Sequence, residues 1–117
     1  MAAEHDPNRV IRTFGKKHAV EILEAADEAI SVQDLSDELG VPQTTCYRRV
    51  EDLLDTGLLE FEDSILSEGQ QRVNVYRRNI DELSVGFQGR DFSLSIEERS
   101  MVKNKLDDVW RNLPDST

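Results

Sequence analysis

The residues best equipped for chemistry in this sequence are gathered in QTTCYRR, residues 43–49. Gln43, Thr44, Thr45, Tyr47, Arg48 and Arg49 supply an amide, two hydroxyls, a phenol and two guanidinium groups, and no acid occurs between Gly40 and Val50. Such groups suit the recognition of nucleic acid. Arginine can hold guanine O6 and N7 through two hydrogen bonds, threonine can approach a thymine methyl or a phosphate, and a helix N-terminus itself attracts phosphate. The competing reading is structural: Arg48 and Arg49 pair with Glu51, Asp52 or Asp55 on a solvated helix.

The flanking sequence predicts the elements that position these groups. Asp6 before Pro7 reads as an N-cap with proline at the first helical position, and Val10, Ile11 and Phe14 give the short helix an apolar face that ends at Gly15. A second helix is expected from about Lys17 to Ala26, with Val20, Ile22, Leu23 and Ala26 toward the core. Ser31 and Asp34 stand at capping-box spacing, and Gly40 is suited to the left-handed turn beyond Leu39. Pro42 opens the next helix, which closes before Gly57. Two short helices, a glycine turn and a longer helix make a helix-turn-helix. At about 100° per residue, Val50 and Leu53 fall within roughly 40° of Cys46, whereas Thr44 and Arg48 lie roughly 160° away on either side. The stripe of Cys46, Val50 and Leu53, with Leu35, Leu39 and Val41, therefore faces the core, and Thr44 and Arg48 face outward, flanked by Thr45 and Tyr47.

Beyond Gly57 the hydrophobic period changes. LLEFEDSIL and RVNVYRRN alternate or nearly alternate, with SEGQQ between them, so a hairpin follows the helices as a wing. Gln70, Gln71 and Arg72 fall at its tip and returning strand, within reach of a minor groove or a phosphate. Val85 and Phe87, then Phe92, Leu94 and Ile96, alternate on either side of QGRD and predict a second small hairpin. Ser95 and Glu98 repeat the capping-box spacing and predict a helix to about Leu113. Val102, Leu106, Val109 and Leu113, with Trp110 beside them, form a seam-like stripe suited to another helix, whether packed back on its own wing or, the favoured reading, at a dimer contact. The expected organisation is a tail at residues 1–7, a winged helix-turn-helix domain at 8–80, and a C-terminal part at 81–117.

Charge supports a nucleic-acid partner in an unexpected way. The chain of 117 residues carries 24 acids and a formal net charge of -10, with only four lysines. Yet Pro7–Val20, Gly40–Val50 and Gly69–Ile80 hold no acid and nine of the fourteen bases: Arg9, Arg12, Lys16, Lys17, Arg48, Arg49, Arg72, Arg77 and Arg78. If these stretches converge, an acidic protein gains one basic face, with Lys16 and Lys17 beside the recognition segment. Bound salt ions are expected to bridge carboxylates and phosphates. A hydrophobic fraction of 38% against 32% charged residues leads to the expectation of one soluble, cytoplasmic domain, with neither a secretory signal nor a membrane span.

Enzymatic readings find little support. Cys46 is the single cysteine, which rules out an internal disulfide and a cysteine-rich zinc site. His5 lies in the expected tail, His18 reads as a surface residue, and FGKK lacks the upstream glycine of a phosphate-binding loop. No catalytic residue, metal or cofactor is expected. Cys46 on the core side reads as a small buried hydrophobe rather than a reactive thiol.

ISVQDLSDELGVPQTTCYRRVEDLLDTGLLE, residues 30–60, resembles the winged helix-turn-helix core of ArsR, MarR and PadR type transcriptional regulators, including many small regulators of halophilic archaea. The likeness extends over about residues 10 to 80. It implies an α+β, mainly helical fold and binding of double-stranded DNA, with Gln43, Thr44, Thr45, Tyr47 and Arg48 at the bases. It further implies a homodimer joined through terminal helices, here at Val10, Phe14, Val102, Leu106, Val109, Trp110 and Leu113. The chain lacks the cysteine pair of the metal-sensing branch. A winged-helix module that binds protein within a transcription complex is the alternative.

Overall fold

The computed structural model describes residues 6–99, which form four helices and five strands. Helix α1, Pro7–Phe14, is opened by Asp6, whose carboxylate accepts the Asn8 N–H at 3.1 Å, and is closed at Gly15. Helix α2 is Ala19–Ala25, shorter than the sequence suggests, because His18 adopts a left-handed φ of 72° immediately before it. Val20 does not face the core and is 40% exposed; Ala19 takes the inner position. The helical set i, i+3, i+4, i+7 built on Ile22, Leu23 and Ala26 begins at residue 19, which turns residue 20 outward.

Strand β1, Ile30–Ser31, leads into α3, Val32–Leu39. The Ser31 Oγ accepts the Asp34 N–H at 3.1 Å, as the capping spacing predicts, and Gly40 takes a φ of 67° at the turn. Helix α4, Gln43–Asp55, ends in a Schellman arrangement. The Leu58 N–H reaches the Leu53 carbonyl, the Gly57 N–H reaches that of Leu54, and Gly57 supplies the left-handed φ of 80°. This closure buries Leu58 beside Leu53 and aims the chain into the sheet.

Strands β2, Leu59–Leu66, and β3, Arg72–Arg78, form the wing, and β1 pairs with the other side of β3 to give the antiparallel order β1-β3-β2. Between Phe61 and Asp63 the register slips, a bulge that bends the distal wing. The core joins all four helices to the base of this sheet: Val10, Ile22, Leu35, Cys46, Val50, Leu53, Leu58, Leu59 and Tyr76 are among its buried residues. Removing each such aliphatic side chain from water contributes about 1.5–3 kcal/mol.

Strands β4, Ile80–Gln88, and β5, Asp91–Glu98, form the expected second hairpin. Gly89 has a φ of 59° and Arg90 does not share it, the sign pattern of a type II′ turn. The capping box expected at Ser95 and Glu98 is overturned, since both residues lie within β5. Ser95 pairs with Ser84, and the alternation of Phe92, Leu94 and Ile96 against Phe87, Val85 and Leu83 outweighs a local spacing that suits a helix start. Asn79 joins the pieces: its N–H meets the Leu58 carbonyl, its side-chain amide donates to the Gly57 carbonyl, and its own carbonyl accepts the Arg99 N–H. The stripe from Val102 to Leu113, with Trp110, lies outside the described residues.

Candidate nucleic-acid interface

Helix α4 has two different sides. Cys46, Val50 and Leu53 are buried, as the helical angles predict. Gln43, Thr44, Tyr47 and Arg48 are exposed, and Thr45 is half-buried. Arg48 forms no hydrogen bond or ion pair with any described residue. The helix begins at Pro42 without a side-chain cap, so its first N–H groups are left to solvent or to an anion.

Arg49 is placed differently. Its Nε donates to the Lys17 carbonyl at 3.0 Å and its Nη1 to Asp52 Oδ2 at 2.7 Å, with the side chain only 14% exposed. Lys16 meets the same carboxylate oxygen at 3.2 Å. Asp52 therefore gathers two bases and fastens the α1–α2 connection to α4. The pairing alternative for the two arginines holds for Arg49 and not for Arg48. Lys17 stays exposed through its side chain while its carbonyl serves Arg49.

The three acid-free stretches do not merge into one basic face. The first two meet at α4, but Arg9 pairs with Asp55 at 3.7 Å, and Lys16 and Arg49 share Asp52. In the third, Arg78 turns inward, donating to the carbonyls of Ile80 and Leu23 and pairing with Asp27 at 3.1 Å; Arg77 is half-buried. Acids outside each stretch in sequence are beside it in space. Arg12, Lys17, Arg48 and Arg72 are the members left exposed without a carboxylate partner among the described residues.

The wing tip is a five-residue loop closed by the Ser67 N–H on the Gln71 carbonyl and the Gln70 N–H on that of Ser67. Its left-handed residue is Gln70, φ 62°, not Gly69. Gln70, Gln71 and Arg72 are exposed, and the Arg72 Nη1 donates to the Ser64 carbonyl across the hairpin at 3.3 Å. Glu68 is exposed in the same loop and opposes a closely approaching phosphate.

Among residues expected at a subunit contact, Val10 is only 1% exposed and belongs to the core of its own chain, which removes it from an interface. Phe14 is half-buried against that core. Burial raises the pKa of the Cys46 thiol, and its Sγ faces the Val41 carbonyl at 3.8 Å, an environment that keeps it protonated. Glu60, on β2, also has a raised pKa, through desolvation and then the neighbouring Glu62. No group of three His, Cys, Asp or Glu among the described residues could hold a metal ion. Among them, too, no helix is long and apolar enough to cross a membrane.

Sequence reasoning named Asp52 only as one of three candidate partners of the two arginines, at i+3 spacing to Arg49. It missed Asp27 and Asn79, which organise Arg78 and the hairpin junction across contacts distant in sequence.

Residues 11–60 match the family profile described as a helix-turn-helix domain. The match runs from within α1 to the second residue of β2 and includes all of α4. No curated protein matches the chain. Together with the wing, the matched segment makes this a winged helix-turn-helix fold of a kind capable of binding DNA.

Proposed function

We propose that this protein is a sequence-specific, double-stranded-DNA-binding transcriptional regulator, with α4 in the major groove and the wing tip at the adjacent minor groove or backbone. One observation carries the reading: Arg48 stands exposed, with no partner among the described residues, beside Thr44 and Tyr47, near the uncapped start of α4, while other bases of the acid-free stretches are held within the fold. A helix in the major groove presents side chains of this kind from its N-terminal half. Binding as a twofold dimer would set two α4 helices roughly 34 Å apart on one face of DNA and produce a two-part operator. Promoter occlusion, and hence repression, is the simplest outcome of that geometry. The resemblance to ArsR, MarR and PadR type regulators supports this reading, and the acid-rich, lysine-poor composition supports a halophilic setting with bound salt ions at the interface.

The test is titration of the full chain against the DNA upstream of its own gene and against random-sequence DNA of equal length, at one fixed salt concentration. Preferential binding with a two-part footprint is expected. Equal affinity for both would favour the protein-binding module, a reading to which the exposed Phe61 and Leu66 on the edge strand β2 lend weight.

A further inference from the structure

The second hairpin carries a surface that the DNA-binding reading does not use. Leu83 lies opposite Ile96, Val85 opposite Leu94, and Phe87 opposite Phe92. Directly opposed residues share a face of the sheet, so all six side chains stand on one side. The other side carries Glu82 against Glu97, Ser84 against Ser95, Gly86 against Ser93 and Gln88 against Asp91. A sheet apolar on one face and polar on the other is patterned to be covered on its apolar face, and two strands alone are marginal in water. The body of the protein covers only part of it. Leu83, Leu94 and Ile96 pack against the core, whereas Val85 is 44% and Phe87 78% exposed. Beside Leu83 a groove of about 370 Å³, lined also by Glu24, Arg78, Asp81 and Glu82, leads to Phe14 and Val20.

We propose that this face is the docking surface for residues 102–113 of the same chain. Strand β5 runs from the turn toward the body, and Arg99 is anchored there by its N–H on the Asn79 carbonyl at 2.7 Å and its guanidinium on Asp27 at 3.3 Å. The following segment therefore starts at the base of the hairpin, with only residues 99–101 between the strand and Val102. A connection of that length is ordinary between a strand and a helix packed on it. Val102, Leu106, Val109 and Leu113 form one helical stripe, and Lys103, Lys105, Asp107, Asp108 and Arg111 fall off it. As a helix, Val102 to Leu113 spans about 16 Å, and Leu83 to Phe87 along β4 spans about 14 Å. A helix returning over the hairpin would thus set Val102 near Leu83 and Ile96, Leu106 near Val85 and Leu94, and Leu113 near Phe87 and Phe92. So short a tether gives the chain's own segment an effective concentration that a second copy does not match. The stripe is then a cover for its own subunit rather than a subunit contact, independently of whether the protein binds DNA.

Trp110 flanks the stripe and is the single tryptophan, so its fluorescence reports the docking directly. In the full-length chain, blue-shifted emission is expected, unchanged on dilution across a range in which sedimentation reports monomer. Phe87→Asp and, separately, Val85→Asp should shift it toward the emission of solvated indole. Phe87 is exposed enough that its replacement leaves the body of the protein folded, which far-ultraviolet circular dichroism and a cooperative melt will verify. Solvated emission in the unmodified chain would overturn the proposal. So would blue-shifted emission lost on dilution, which would assign the stripe to a second copy, or emission indifferent to both substitutions, which would place the seat elsewhere.

Discussion

The two sides of α4 differ most where they are adjacent. Arg48 and Arg49 are consecutive, of one type and on one helix, yet Arg49 is 14% exposed with two partners, and Arg48 is exposed with none among the described residues. A rotation of about 100° per residue separates a side chain that packs against the α1–α2 connection from one that is exposed. The difference teaches that basic residues in an acid-free stretch are not equivalent contributors to a basic face. Arg49 holds the helix in place. Arg48 is available to a ligand because its neighbour is not.

That contrast can be broken from the inner side first. Leu53→Ala empties a fully buried position and should cost about 2–5 kcal/mol of stability, measured by urea denaturation. Its DNA affinity per folded molecule should be unchanged; a parallel loss of specific affinity would mean that the two sides of α4 are not separable. At the wing, Gln70→Gly relieves a left-handed backbone that costs a non-glycine residue about 1–2 kcal/mol, partly offset by the freedom glycine adds to the unfolded chain. A net gain below about 1 kcal/mol is expected. If Gln70 also reaches DNA, thermal stability and affinity will move in opposite directions, and affinity that holds steady would exclude its side chain from the contact.

Much of the fold was legible because its signals are local. Asp6 with Pro7, Ser31 with Asp34, Gly40 and Gly57 each act within one turn of backbone, and their caps and turns form as their spacing predicts. The outward angle of Thr44 and Arg48 follows from helical geometry alone. Failures occurred where a distant contact decided between local options. Ser95 and Glu98 have the spacing of a helix start, but pairing with β4 draws them into a strand. Val20 is apolar and adjacent to core residues, yet Ala19 sets the phase of α2. Convergence of the acid-free stretches was legible only in part, because Asp27, Asp52 and Asp55 come from outside those stretches to meet Arg78, Arg49 and Arg9. SEGQQ marks the wing loop by composition, which does not say that the positive φ falls at Gln70.

The most direct test of the central claim compares Arg48→Ala with Arg49→Ala in one set of titrations against specific and random-sequence DNA at fixed salt, with melting curves on the same samples. Arg48→Ala should leave stability intact and weaken specific binding by about 1–3 kcal/mol, with random-sequence binding changed far less. Arg49→Ala should cost about 1–3 kcal/mol of stability through its lost charge-assisted hydrogen bonds, while the folded fraction keeps its discrimination between the two DNAs. Equal weakening of both DNAs by Arg48→Ala would make it a phosphate contact. An Arg48→Ala protein that binds its specific DNA as tightly as the unmodified chain would contradict the account.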